Sequence, residues 1–331
     1  MKKYLLLASV AALAFTSCSD QSTEFVGDEV TQKAREISFA PLAKPTTRAA
    51  VPGTTFPTAE DLQVAAYMVE PTTQAGNYFS PTTFSYNSTS TYWEGTTPRY
   101  WPLSDCFINF LGVANVQGTA TFNSTTPTSQ CVVVMSDNSS AQEDLMYAIG
   151  SGSVTHTGNT LNFSPVSMPF FHAQAWVKFH VAAANTASQD ITVNSITLNG
   201  ARYNGTFTIT HTAYDAKTGQ TVGGVWDVTS STTKDQAVPG ASATPLTTSG
   251  DDFGAGLMIV PDETTGADFT SFTINYSYDG KTYDYTYAPI STDVTKGHSY
   301  TYNITFTLHE IQVAASIDAD WTNTNTGVTI P

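Results

Sequence analysis

Three observations predict an all-β chain built as two sandwiches in tandem. Period-two alternation recurs from end to end, as where Ala175, Val177, Phe179 and Val181 alternate with Trp176, Lys178 and His180. No window of helical period longer than about two turns competes with it. A length of 331 residues exceeds what one ordinary core needs, so two domains are the expectation. Charged residues make up only 12% of the chain, about half the usual share. Thr, Ser, Asn and Tyr take their place, which suits strands with one solvated face.

At the start, Lys2 and Lys3 precede an apolar or small-residue run from Tyr4 to Phe15. That run is too short for a permanent membrane span and reads as a cleaved export signal. Cys18 follows the small residues Thr16 and Ser17, the pattern of a bacterial lipoprotein cut and acylated at that cysteine. Phe15 departs from the aliphatic residue usual three places earlier; the alternative is an ordinary secretory signal with an incidental cysteine. Residues 19–35 are polar, acidic and aperiodic, a tether able to reach about 55 Å at ~3.3 Å per residue.

Residues 36–41 read as a short strand: Ile37 and Phe39 alternate with Ser38 and Ala40, and Pro41 stops the pattern. Residues 44–50 read as an exposed loop, with Arg48 the best site for an arginine-specific protease. Arg35 and Lys44 are rivals, but a cut at Arg35 precedes the strand and would not free it. Removing a strand that belongs to the main fold leaves an open apolar groove, a seat for another chain.

Leu62 to Val69 opens the first globular unit as a strand, and aromatic segments follow at Phe84-Ser85-Tyr86, Tyr92-Trp93 and Arg99-Tyr100-Trp101-Pro102. Cys106, Ile108 and Phe110 occupy one phase and Phe107, Asn109 and Leu111 the other, so this strand is expected to be buried on both faces. Residues 114–129 show no clear period. Short apolar runs follow at Val132–Met135 and within Glu143–Ala148. A proline-marked bend at 165–169 sets the domain boundary. The divisions are 1–18 signal, 19–48 tether with removable strand, 49–168 first sandwich and 169–331 second sandwich. In the second, the phase slips between Ile191/Val193 and Ile196/Leu198, which places a bulge near Asn194-Ser195. Asp279-Gly280 reads as a two-residue hairpin turn between Phe272–Tyr278 and Tyr283–Tyr287. Alternation continues through Tyr300–Leu308 and Ile311–Ile317.

Loss of residues 1–18 takes away two of 13 basic residues and none of 28 acidic ones, leaving a formal charge of −17. No Lys/Arg cluster offsets it, so nucleic acid is excluded as a partner. Cys106 and Cys131 lie on apolar alternating segments, which favours buried thiols over a bridge; a disulfide framework is excluded by count. The six histidines show no metal-ligand spacing, and His172 and His298, at strand starts, are expected to bond to backbone. No G-x-S-x-G elbow supports nucleophilic catalysis. Glu143-Asp144 and Asp251-Asp252 read as solvated loop ends in preference to a glycosidase pair. Trp93, Trp101, Trp176, Trp226 and Trp321 fit core and sheet-face packing better than a glycan platform.

The order of signals resembles the fimbrillins of Bacteroidetes. The matching pieces are the lipoprotein signal, Thr47-Arg48-Ala49, and Tyr100-Trp101-Pro102 before the 106–111 strand. Asp144-Leu145-Met146-Tyr147-Ala148, Phe171-His172-Ala173 and Ile196-Thr197-Leu198 follow. Leu257-Met258-Ile259-Val260-Pro261, Gly297-His298-Ser299-Tyr300-Thr301-Tyr302-Asn303-Ile304 and Trp321 complete the series. The resemblance implies two transthyretin-like β-sandwich domains, export as a lipoprotein, cleavage after an arginine and assembly by strand exchange. The donor would lie after Ile311, ending Gly327-Val328-Thr329-Ile330-Pro331, with Val328 and Ile330 as its apolar residues.

The expectation is therefore a structural pilin of stalk or tip type at the outer surface, supporting adhesion, with no enzyme activity, cofactor or metal. Its implied partners are copies of itself or related pilins, an arginine-specific protease, lipid at Cys18 before processing, and host or bacterial surface ligands. The rival reading is a monomeric surface lipoprotein that binds glycans for nutrient capture.

Overall fold

The computed structural model describes residues 35–43, 56–123, 130–157, 160–161, 164–210, 224–262, 264, 267–289, 293–307 and 310–318. Among them strands dominate, and the helical elements are two short 3-10 turns at Thr72–Gln74 and Thr186–Asp190. The first half carries β1 (Ser38–Ala43), β2 (Leu62–Glu70), β3 (Gly76–Asn87), β4 (Tyr92–Gly95), β5 (Cys106–Ala114) and β6 (Gly118–Asn123). Then come β7 (Gln130–Met135), β8 (Met146–Val154), the small hairpin β9 (His156–Thr157) and β10 (Thr160–Leu161), and β11 (Val166–His172).

Seven of these strands close on themselves in the order β1-β11-β8-β5-β2-β3-β4, with β4 paired back to β1. Where the sequence predicted a sandwich, the sheet closes into a barrel, because β1 bridges the two strands that would otherwise be its edges. Its interior is filled by side chains, among them Phe39, Phe84, Phe110, Met168 and Phe170. Glycine makes room for them on β8. A Cβ on Gly150 would lie 2.4 Å from Met168 Sδ, and one on Gly152 2.5 Å from the Trp101 ring.

The second half carries β12 (Ala175–Ala183), β13 (Thr192–Arg202), β14 (Gly205–Thr210), β15 (Gly224–Asp227), β16 (Thr233–Ala237) and β17 (Thr244–Pro245). It continues with β18 (Asp251–Asp252), β19 (Leu257–Ile259), β20 (Ser271–Tyr278), β21 (Lys281–Tyr287), β22 (Ser299–Phe306) and β23 (Ile311–Asp318). Two sheets, β18-β12-β22-β23 with β19 and β16-β13-β20-β21 with β17, face each other. Phe179 packs against Phe272, and Phe272 against Tyr302, with ring centroids 5.1 Å apart in each pair. The expected bulge is present as a register shift between Val193 and Ser195. The Asp279-Gly280 turn is present too, with φ of 51° and 71°, as a mirror-image hairpin turn requires.

A cut at 168–169 does not separate the strands cleanly. β14 and β15, from the second half, join β7 and β6 in one sheet ordered β15-β14-β7-β6. That sheet covers the outside of the barrel: Phe207, Ile209 and Trp226 pack with Cys131 and Val133 against Tyr67, Leu111, Val113 and Tyr147. β5 is thus buried on both faces, by barrel interior on one and by this sheet on the other. The connection is polar as well, since Gln174 Oε1 accepts from the Leu145 amide at 2.9 Å and Gln142 Oε1 accepts from the Met258 amide.

Candidate functional site

The alternation that marks residues 36–41 in sequence becomes a row of inward side chains. Ile37 and Phe39 have no exposed surface, and Pro41 is buried in the same phase, while Ser38 and Ala40 are half-buried. Phe39 sits edge-on to two rings, Phe84 at 4.7 Å and Phe110 at 5.3 Å between centroids. Edge-to-face pairs of this kind add about 0.5–1.5 kcal/mol beyond area burial. Phe56 packs beside the same interior, 4.7 Å from Phe170 and 5.8 Å from Trp93. Trp93 is fixed in turn by donating from Nε1 to Glu60 O at 2.9 Å.

Two neighbours hold the backbone of β1. On one side it runs parallel to β11, from Phe39↔Val166 to Ala43↔Phe170. On the other it runs antiparallel to β4 through Ser38↔Glu94 and Phe39↔Trp93. The strand extends two residues beyond the predicted stop at Pro41. β4 pairs only Ser38 and Phe39, so a residue lacking an N–H is tolerated past that point.

Ahead of β1 the pairing continues along residues 99–101. The Ile37 amide donates to Arg99 O at 2.6 Å, Glu36 bridges Tyr100, and the Trp101 amide donates to Arg35 O at 2.9 Å. Arg35 Nη2 donates to Trp101 O at 2.9 Å. Residues 99–101 are braced from behind. Arg99 lies 5.5 Å from the Phe79 ring centroid and donates to Thr82 Oγ1, and Tyr78 OH donates to Tyr100 O.

Chemically this is a seat for a strand. Without β1, β4 and β11 become edges with unpaired N–H and C=O groups, flanking a trough lined by Phe84, Phe110 and Phe170. Such an edge beside an apolar trough is a template for an incoming β-segment.

Of the other residues singled out in the sequence, Cys18, Arg48, Val328 and Ile330 lie outside the described residues. Cys106 and Cys131 are both free thiols; burial raises both, and Cys131 is pushed up to about 12. Among the described residues no group of three or more His, Cys, Asp and Glu could hold a metal ion. Two expectations are corrected. Asp144 is not a solvated loop end: it is buried, and its carboxylate lies 2.7 Å from Nδ1 of His172, a side-chain partner where a backbone one was expected. His298 does meet backbone, through Nδ1 to Lys296 O at 3.0 Å. The residues that sequence reasoning missed are Phe56 and Val166: Phe56 meets Phe170 and Trp93 across the interior, and Val166 pairs with Phe39 from far along the chain, contacts that no local period announces.

A fimbrial protein of Bacteroides vulgatus is similar at 15% identity and TM-score 0.46, over 86% of this chain and 98% of that one. A fimbrial assembly protein of Parabacteroides distasonis is similar at 14% identity and TM-score 0.43, over 85% and 94%. The C-terminally truncated tip fimbrial protein Mfa3 of Porphyromonas gingivalis is similar at 13% identity and TM-score 0.43, over 86% and 98%. No curated protein matches. The family model described as fimbrillin-like matches residues 47–321, most of the chain. The chain belongs to the fimbrillin-like family, whose members are structural fimbrial proteins and not enzymes.

Proposed function

We propose that this protein is a stalk or tip pilin, exported as a lipoprotein on Cys18, cut after Arg48 and polymerised by β-strand exchange. In this reading the two halves are the tandem transthyretin-like units of such a subunit, and β1 is a temporary plug. The observation that carries it is the position of β1 as the strand that closes the barrel, with Ile37 and Phe39 wholly buried. Ala43, its last residue, lies five residues before Arg48, so a cut there leaves β1 held to the body by non-covalent contacts alone.

The magnitudes allow a switch. Burial of Ile37 and Phe39 is worth ~2–3 kcal/mol each, and the ladder bonds of a short strand roughly 1 kcal/mol each. Before cleavage, the covalent link gives β1 an effective concentration that a neighbour's tail cannot match. After cleavage that advantage is gone. A donor tail carrying Val328 and Ile330 then competes on packing and length.

The test is to treat the purified full-length chain with an arginine-specific protease and run it unboiled in SDS. A ladder of SDS-resistant oligomers, absent from Arg48→Lys, supports the proposal. A cut chain that stays monomeric contradicts it, and glycan binding by that monomer would establish the rival reading.

A further inference from the structure

Two arginines flank β1, and an arginine-specific protease has chemistry for both. We infer that the Arg35–Glu36 bond is a second, conditional cleavage site, closed while β1 is seated and opened by its departure. The inference rests on the reading of β1 as a removable plug and adds an order of events to it.

A protease must take the chain as an extended, unpaired segment, place the arginine side chain in its specificity pocket and polarise the scissile carbonyl. At Arg35 each requirement is blocked by a named contact. The scissile carbonyl, Arg35 O, accepts from the Trp101 amide, and the guanidinium donates through Nη2 to Trp101 O. Arg35 Nε is buried within the fold. Beyond the scissile bond, Glu36 is in a β-bridge with Tyr100, the Ile37 amide is bonded to Arg99 O, and the side chains of Ile37 and Phe39 are fully buried. The partner segment 99–101 is itself braced by Phe79, Thr82 and Tyr78, so it cannot yield locally to release Arg35. Peeling β1 away together with the Arg35–Ile37 segment that leads into it removes these contacts.

The second cut is a hydrolysis: water adds across the Arg35–Glu36 amide, the C–N bond breaks, and a carboxylate forms on Arg35 and an amine on Glu36. It separates the plug from residues 19–34 and from whatever holds Cys18. While joined to that tether, a displaced plug stays at whatever surface holds Cys18, where a body still at that surface can take it back. Once freed it dilutes away, and the exchange no longer reverses. Shielding also prevents the unproductive order. A first cut at Arg35 would strip the tether while β1 is still covalently joined to the body, releasing a subunit that stays plugged until Arg48 is cut as well.

The experiment follows cleavage by an arginine-specific protease with intact-mass measurement, on the full-length chain, Arg48→Lys, and Arg48→Lys with Phe39→Ala. In the native chain the Arg35 product should appear only after a lag behind the Arg48 product. In folded Arg48→Lys the Arg35 cut should be slower than the native Arg48 cut by roughly 100-fold or more, since cleavage then samples only the opened population. Adding Phe39→Ala should speed the Arg35 cut by about tenfold or more, with Arg99 and Arg202 still uncut as the control for folding. If Phe39→Ala exposes Arg99 and Arg202, Ile37→Val supplies the same comparison with a smaller loss. Rapid Arg35 cleavage in folded Arg48→Lys, or indifference to both weakening changes, overturns the inference and leaves the plug reading standing. A chain cut at Arg48 that keeps its plug and never polymerises overturns the plug reading instead.

Discussion

At the residue scale, Phe39 carries the most. Its ring fills a site bounded by Phe84 and Phe110 inside a closed barrel, so truncation leaves a cavity that the surrounding strands cannot collapse into. Phe39→Ala should cost about 3–5 kcal/mol by urea denaturation of the uncut chain. Phe39→Leu should cost clearly less, because it keeps most of the volume. Gly152 makes a complementary case. Its missing Cβ is where the Trp101 ring lies, so Gly152→Ala should destabilise by about 1–3 kcal/mol, read in the same assay. The two cysteines give a third expectation. Burial holds both thiols above their ordinary pKa, so almost no thiolate is present near neutral pH. A thiol reagent at pH 8 should leave Cys106 and Cys131 unmodified in the folded chain and modify both once it is denatured.

At the scale of elements, legibility followed locality. The alternation of Ile37 and Phe39, the slip near Asn194-Ser195 and the Asp279-Gly280 turn are signals carried by adjacent residues, and each has its counterpart in the structure. Partners were not legible. Nothing in Glu36–Pro41 says that β1 lies parallel to β11, or that pairing runs past Pro41 to Ala43. β6 was missed because Gly118–Asn123 is a half-exposed strand whose alternation rests on Ala120 and Phe122 alone, too short to stand out from the Thr, Gly and Asn around it. Asp144 was misjudged for a related reason: an acidic pair beside an apolar run reads as solvated until the His172 that meets it, 28 residues on, is known. If β1 is an element held mainly by its two neighbours, its release should be visible element by element. After cleavage at Arg48, amide exchange should rise in β4 and β11 until a donor strand fills the gap, while β20 and β21 stay unchanged. Uniform exchange before and after the cut would count against β1 as a separable element.

At the scale of the molecule, the two halves are joined by more than a linker. The sheet β15-β14-β7-β6 draws strands from both, and Phe207 and Trp226 pack onto the outer wall of the barrel that β1 closes. A boundary at 168–169 was the natural reading of the Pro165–Pro169 bend. Periodicity tells which face of β14 is apolar but not which sheet will receive it, so the cross-connection could not be read from the chain. Its consequence is mechanical. Expressed alone, residues 169–331 would leave Phe207, Ile209 and Trp226 uncovered, and should aggregate or bind a hydrophobic dye where the full chain does not.

The central claim, that β1 is a plug given up in exchange for a neighbour's tail, is tested most directly by native mass spectrometry of the chain after arginine-specific cleavage. The account predicts integer multiples of a body beginning at Ala49, none of them retaining residues 36–43. A body that begins at Ala49, remains single and still carries the 36–43 strand would contradict it.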